Sequence, residues 1–268
     1  MDDRGPSITV RALNVFPVKS LRGIAVSQAD VGDRGFRHDR RFMVVDEGGR
    51  FLTQRTLPRM ALVQVAIDGQ ALRVGAPGQG TIEVPLQPAG GAARIVQVWR
   101  DQCESVSLGE GPASWLSEFL GRRCELVYMP DATLRRTDPR FGSGRVGFAD
   151  AYPFLLASVD SLAEVARRGG GVPMERFRPN IVVGGAAPFA EDGWRHVRIG
   201  DVGFRVAKPC ARCAITTVDP ERGAVDGVEP LRTLRTFRSS AEGVLFGVNL
   251  VHEGVGSVSV GERVDVET

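Results

Sequence analysis

Apolar and polar positions alternate with a two-residue period through much of the first hundred residues, the pattern of short strands that bury one face. Arg41-Phe42-Met43-Val44-Val45 and Phe51-Leu52-Thr53-Gln54-Arg55 flank the turn-forming Asp46-Glu47-Gly48-Gly49-Arg50, and Ala61 to Ile67 is followed by Asp68-Gly69 and Ala71-Leu72-Arg73-Val74. Asp68-Gly69 is the strongest hairpin signal, because both central positions of a type I′ turn need positive φ. Ile82, Val84 and Leu86 alternate, as does Ile95 or Val96 with Val98, while Gly75 to Gly80 and Pro88 to Gly91 read as loops. The period then changes. Trp115, Leu116, Phe119 and Leu120 make one apolar stripe of a helix over Pro112 to Leu120, with Gly121 to stop it. A second helix runs from Ser158 to about Arg168, with Ser161 and Glu164 at capping-box spacing, Leu162 and Val165 inward, and Gly169-Gly170-Gly171 as the stop. Strands return at Ile181-Val182-Val183, at Val197 to Ile199 and Val202 to Val206 around a tight Gly200-Asp201 turn, and at Val258 to Val266.

These elements predict a mostly β (α+β) chain with few helices. Its strands are not separated by regular helices, so a doubly wound parallel sheet is disfavoured and closed or partly closed barrels are favoured. The first helix marks a boundary between an N-terminal β-barrel-like domain, 1–118, and a second β-barrel domain, 119–268, and no internal repeat is visible.

Composition narrows the function classes. With 268 residues, 43% apolar and 25% charged, the chain has ordinary globular values. Thirty-four basic against 32 acidic residues leave a formal charge of +2, too little to wrap nucleic acid or to hold the chain on anionic lipid, so an anion site has to be local. Only Lys19 and Lys208 are lysines; arginine supplies the remaining basic side chains. No apolar run approaches the ~20 residues of a membrane span. Met1 to Pro6 lacks the basic-then-apolar start of a signal peptide, and four cysteines suit a reducing compartment, so a cytoplasmic location is expected.

Gly142-Ser143-Gly144-Arg145-Val146-Gly147 matches G-x-G-x-x-G, but Arg135 to Arg140 before it is no apolar strand and Pro153 interrupts a following helix, so a dinucleotide fold is rejected. Lys208-Pro209-Cys210-Ala211-Arg212-Cys213 is the most chemical segment, with Pro209 expected to end a strand and leave both thiols on a turn. Zinc needs four ligands and this motif supplies two; Cys103, Cys124, His38, His196 and His252 are not paired at ligand spacing. A thioredoxin-like dithiol opens a helix, whereas Cys213 leads into the β-branched run Ala214 to Val218. Buried structural thiols, and one thiolate used as nucleophile or metal ligand beside Lys208 and Arg212, both stay open. Three basic clusters stand at strand ends: Pro17-Val18-Lys19-Ser20, Arg37-His38-Asp39-Arg40-Arg41 and Arg176-Phe177-Arg178-Pro179-Asn180. Solvation is the ordinary fate of such residues, but together with Ser158 at a helix start they suit a multi-point phosphate cradle.

Pro17-Val18-Lys19-Ser20, Asp39-Arg40, Phe148-Ala149-Asp150, Phe177-Arg178-Pro179-Asn180, Lys208 to Val218 and Phe246-Gly247-Val248-Asn249 occur in an order that resembles the MOSC-domain proteins of the mitochondrial amidoxime-reducing and bacterial YcbX branch, over the whole chain. The resemblance implies a molybdenum cofactor, whose phosphate needs cations and whose metal takes one protein thiolate. It assigns the metal ligand to Cys213 and treats Cys210 as structural. Lys19, Ser20, Arg40, Ser158, Arg178, Asn180 and Arg212 would hold phosphate and pterin, with Asn249 in the same set. Thr216 and Thr217 belong to it as well, although on a strand they point to opposite faces and at most one would meet the cofactor. Asp150 matches a family acid near the metal and is expected to supply protons. Ala211 stands where family members commonly have serine. No C-x4-C-x2-C spacing for an iron–sulfur cluster is present.

The expected activity is reduction of N-hydroxylated compounds (hydroxylamines, amidoximes, N-hydroxylated bases) to amines, as in detoxification. Electrons would come from a separate ferredoxin- or cytochrome-type protein with its reductase, docked on the Arg-rich surface around Cys213. The rival reading is a non-catalytic carrier of molybdenum cofactor, or of a persulfide on Cys213.

Overall fold

The computed structural model describes residues 7–268; Met1–Pro6, read above for a leader, lie outside them. The first half carries strands β1 (Thr9–Val15), β2 (Val18–Lys19), β3 (Ile24–Val26), β4 (Gln28–Gly32), β5 (Gly35–Phe36), β6 (Phe42–Val45), β7 (Gln64–Asp68), β8 (Ala71–Ala76), β9 (Gly80–Pro85), β10 (Ala93–Val98) and β11 (Asp101–Ser107), then helix α1 (Glu110–Leu120) and β12 (Glu125–Tyr128). The second half carries β13 (Phe154–Ser158), α2 (Val159–Val165), β14 (Ile181–Gly184), β15 (His196–Ile199), β16 (Val202–Arg212), β17 (Val218–Asp219), β18 (Ala224–Val225), α3 (Leu231–Phe237), β19 (Ser239–Ser240), β20 (Gly243–His252), β21 (Gly256–Ser259) and β22 (Val264–Glu267). The fold is mostly β, as the sequence predicts.

The largest sheet runs β22-β15-β16-β20-β13-β14-β1-β3, with β19 beside β20. It is a mixed sheet, antiparallel except where β13 runs parallel to β14, and it curls until Thr9 bridges Arg263 and the Val10 amide donates to the Glu262 carbonyl at 2.9 Å. No sheet among the described residues closes as a complete barrel. The N-terminal strand β1 pairs with β14, and β4 with β21, so strands from both sides of residue 118 share sheets. Leu13, Phe154, Phe204 and Leu250 fill the core on one side of this sheet. A second core packs α1, through Leu116, Phe119 and Leu120, against Phe42, Met60, Leu72 and Leu126. Burying large aliphatic and aromatic side chains contributes about 1.5–3 kcal/mol each, before the entropy of ordering them is subtracted.

Several local expectations are corrected. Phe51–Arg55 is not a strand; only Phe51 bridges Val45, and the Thr53 hydroxyl accepts from the Arg55 amide, a turn that competes with ladder pairing. Pro58 opens a 3-10 turn to Leu62, so the strand expected from Ala61 starts at Gln64. The β7–β8 hairpin forms, but Asp68 pairs with Ala71 and the central residues are Gly69 and Gln70, of which only Gly69 has positive φ, so the turn is not type I′. The capping box gives way to a different cap: the Ser158 hydroxyl accepts from the amides of Asp160 and Ser161, and Ser161 donates instead to the buried Glu191. Leu162 is only half-buried, while Val165 is fully inside. Val258 to Val266 is two strands broken by a turn with Gly261 at φ 90°. Pro209 does not end its strand: β16 continues to Arg212 by slipping register on both sides of the proline.

Candidate functional site

β2, β13, β16 and β20, with the turns before β6 and β14, line one cleft of about 140 Å³. Lys19, Ser20, Arg40, Asp150, Arg178, Asn180, Arg212, Cys213 and Asn249, nine of the residues expected from sequence, line it together with Arg55, Tyr152 and Cys210. Three of them are held at positive φ although none is glycine: Ser20 at 63°, Arg40 at 47° and Arg178 at 57°. A left-handed backbone costs an L-residue about 1–2 kcal/mol, and such residues gather where the surroundings over-determine them.

The charges are unbalanced. Five cations (Lys19, Arg40, Arg55, Arg178, Arg212) face one carboxylate, Asp150. The Lys19 ammonium is buried, donates to the Phe148 carbonyl at 2.8 Å and bonds the Asp150 carboxylate. Burial pushes Lys19 below the ordinary lysine value, with Asp150 opposing that shift. For Asp150, desolvation by the cleft walls works against ionisation, but the Lys19 charge and hydrogen bond, the Trp99 indole and Arg55 outweigh it and hold the carboxyl well below the usual range. Asp150 is placed as an ionised acceptor that ties down Lys19.

Arg40 is compensated: its Nη1 donates to Asp39 Oδ2 at 2.6 Å and to Asn180 Oδ1 at 2.8 Å. The Asn180 amide in turn donates to the carbonyl of Asn14 and to Asp39 and accepts from the Leu155 amide, so it acts as a fixed bracket behind Arg40. Arg178 is different. Its guanidinium has no acidic or hydrogen-bonding partner among the described residues, and it shares the Phe16 ring with Arg40, the two guanidinium carbons lying 4.4 and 4.3 Å from the ring centroid. Burial first, and then the Arg40 charge, push Arg178 below the ordinary arginine value. Arg212 donates to the Phe177 carbonyl at 2.7 Å and to Cys210 Sγ at 3.0 Å, while its buried Nε has no partner. An under-satisfied, positively charged wall of this kind fits a phosphate-bearing cofactor, and the sulfur of Cys213 lines the same cleft.

Three expected residues fall outside it. Ser158 is fully buried, and its hydroxyl caps a seven-residue helix, which uses up the amides that were to attract phosphate. Ala214–Thr217 is a 3-10 turn, where Thr216 and Thr217 donate to the carbonyls of Cys213 and Ala214. Neither threonine lines the cleft; Ile215, immediately before them, does. Cys210 is not a core thiol but lines the cleft in contact with Arg212. Residues not picked out from sequence are Arg55, Tyr152, whose hydroxyl is pushed up to about 12 chiefly by burial, and Trp99 beside Asp150. Only the alternation around residues 95–98 pointed near Trp99. Among the described residues no group of three or more His, Cys, Asp or Glu side chains is placed to hold a metal.

Comparison with known proteins matches residues 7–123 to the MOSC N-terminal beta barrel domain and residues 143–265 to the MOSC domain. Mitochondrial amidoxime-reducing component 1 of Homo sapiens is 33% identical over 276 residues, covering 96% of this chain and 82% of that protein. Mitochondrial amidoxime reducing component 2 of Rattus norvegicus is 32% identical over 285 residues, with 96% and 82% covered. Molybdenum cofactor sulfurase of Danio rerio is 36% identical over 274 residues, covering 93% of this chain and 32% of that protein.

Proposed function

The chain belongs to the MOSC family, joining a MOSC N-terminal beta barrel domain to a MOSC domain, and on that premise we propose that it is a molybdenum-cofactor-dependent reductase of N-hydroxylated compounds. The observation that carries this reading is the cleft itself, five cations against one carboxylate with an unpartnered Arg178 and the Cys213 thiol on one wall. Arg178, Arg212 and Arg40 would hold the cofactor phosphate, the first two with donors not yet used within the chain. Lys19, fixed by Asp150 and the Phe148 carbonyl, adds a point charge. Cys213 would be the protein ligand to the metal. When bound, the cofactor supplies the two-electron chemistry that removes the substrate oxygen as water. The protein's part is to anchor phosphate, present the thiol and place Asp150 as an acceptor beside the entrance, its side chain 60% exposed.

Electrons come, in this reading, from a separate ferredoxin- or cytochrome-type donor with its reductase, and the protein works in the cytoplasm, a location that cell fractionation checks. Among the described residues no helix is long and apolar enough to cross a membrane. The test is to purify the protein from a molybdenum-replete host, measure metal and pterin per chain, and follow reduction of an amidoxime with a reduced viologen. Near-stoichiometric cofactor with steady turnover supports the reductase. The likeness to a molybdenum cofactor sulfurase favours one rival, a carrier of cofactor or persulfide; stoichiometric delivery to an apo-enzyme without turnover would establish that instead.

A further inference from the structure

We propose that Trp99 is the specificity wall of this cleft, selecting planar conjugated N-hydroxylated compounds such as aryl amidoximes and N-hydroxylated bases over aliphatic hydroxylamines. The inference rests on the reductase reading and names its substrate class. Trp99 stands in the two-residue tip between β10 and β11, far in sequence from Cys210 and Cys213. Its backbone is left-handed, φ 58°, at a place where glycine would be unstrained. The residue stays 44% exposed, so core packing does not compensate that strain. What holds it is the cleft. Its Nε1–H donates to Asp150 Oδ1 at 3.1 Å, the Arg55 guanidinium lies 4.4 Å from its ring, and Phe51 meets it edge-on at 5.1 Å between centroids. Asp150 and Arg55 both line the cleft, so the indole, though not itself among the lining residues, is held against the cleft's rim while retaining open surface.

Arg55 covers one face of this indole, the other face offers a flat π surface to a flat substrate, and the ionised Asp150 beside it offers an acceptor to an amidoxime NH2 or OH. An aliphatic hydroxylamine can use the carboxylate but not the ring.

The cofactor-loaded full chain tests this with an aryl amidoxime and N-methylhydroxylamine as probes, reading intrinsic fluorescence and steady-state kinetics in the parent, Trp99→Leu and Trp99→Phe. Of the three tryptophans Trp194 is buried and Trp115 half-buried, so saturable quenching should come from Trp99 and vanish in Trp99→Leu. Trp99→Leu should raise KM for the aryl amidoxime about tenfold more than for the hydroxylamine, equivalent to about 1.4 kcal/mol. Trp99→Phe, which keeps a ring but loses the bond to Asp150, should recover most of that difference. Equal losses on both probes, or turnover of aryl amidoxime without quenching, overturns the wall. Saturable quenching with no reduction of either probe leaves the wall standing and overturns the reductase reading on which it was built.

Discussion

Arg212 donates from Nη1 to the sulfur of Cys210 at 3.0 Å and has no such bond to Cys213. The two thiols of one C-x-x-C are thereby made unequal. Cys210 is engaged by a guanidinium, whereas Cys213, half-buried at the start of the 3-10 turn and lining the cleft, has a sulfur without a hydrogen-bond partner among the described residues. Cys213→Ser should abolish turnover and lower molybdenum while bound pterin, measured by fluorescence after release, stays above half, because the phosphate anchors are intact. Cys210→Ala should keep a measurable rate. Equal loss from both, in folded protein, would point to a dithiol function.

Arg178 has a half-buried charge without an acid and a left-handed backbone, two costs that a bound phosphate offsets only in part. Arg178→Gly removes both. Thermal unfolding of the cofactor-free variant should show stability raised by about 1 kcal/mol. Its affinity for inorganic phosphate, by calorimetry, should fall at least about tenfold, since losing one charged partner of a desolvated anion costs about 2–5 kcal/mol. Lower stability together with unchanged phosphate binding would remove Arg178 from the cradle.

Asp150 carries a pH signature whose sign follows from its lowered value in the fold. A carboxyl depressed on folding contributes stability above its unfolded value, near ~3.9, and loses that contribution as pH falls toward the folded value. Because the side chain is 60% exposed, the contribution is discounted for solvent screening to about 1 kcal/mol. Asp150→Asn should therefore be less stable than the parent at pH 7 by about that amount, with the two curves converging below pH ~4. A constant difference across the acid range would mean that Asp150 titrates alike in both states.

Why the site was partly legible in the sequence is clear from particular residues. Lys19, Arg40, Arg178 and Arg212 stand in short motifs at strand ends, where side chains have few places to go but a shared cleft. Ser158 and the two threonines misled for one reason: a hydroxyl next to free backbone groups bonds them first, as a cap in one case and as a 3-10 turn in the other. The rejected G-x-G-x-x-G run shows what pattern alone misses. Gly147 presses against the backbone of Arg40, where an added Cβ would come within 2.6 Å of the Arg40 carbonyl, and the neighbouring Phe148 amide bonds that same oxygen. The run thus fixes a cleft arginine by close approach. Trp99 and Arg55 were invisible because their contact with Asp150 joins segments about 50 and 95 residues apart in sequence, by no local rule.

The last prediction concerns electron supply. An iron–sulfur cluster needs four neighbouring thiolates, and the four cysteines here are divided: Cys103 and Cys124 are buried in separate cores of the first half, while Cys210 and Cys213 line the cleft. Burial also raises Cys103 and Cys124 above the ordinary thiol value, against thiolate chemistry. A nicotinamide cofactor wants a strand, a glycine-rich turn and a helix, but the glycine run here follows a 3-10 turn and leads into irregular chain before β13. The loaded protein should accordingly show no iron–sulfur absorption and should reduce an amidoxime slowly with NADH or NADPH alone. Reduced viologen, or a ferredoxin- or cytochrome-type donor with its reductase, should raise the rate by at least about a hundredfold, some 2.7 kcal/mol in the barrier. Raising ionic strength should weaken the protein donor's effect and leave the viologen's unchanged if the donor docks by charge on the arginines around the cleft. Efficient NADH-driven turnover by the purified single chain would overturn the separate donor, and salt-independent donor kinetics would overturn charged docking while leaving the donor in place.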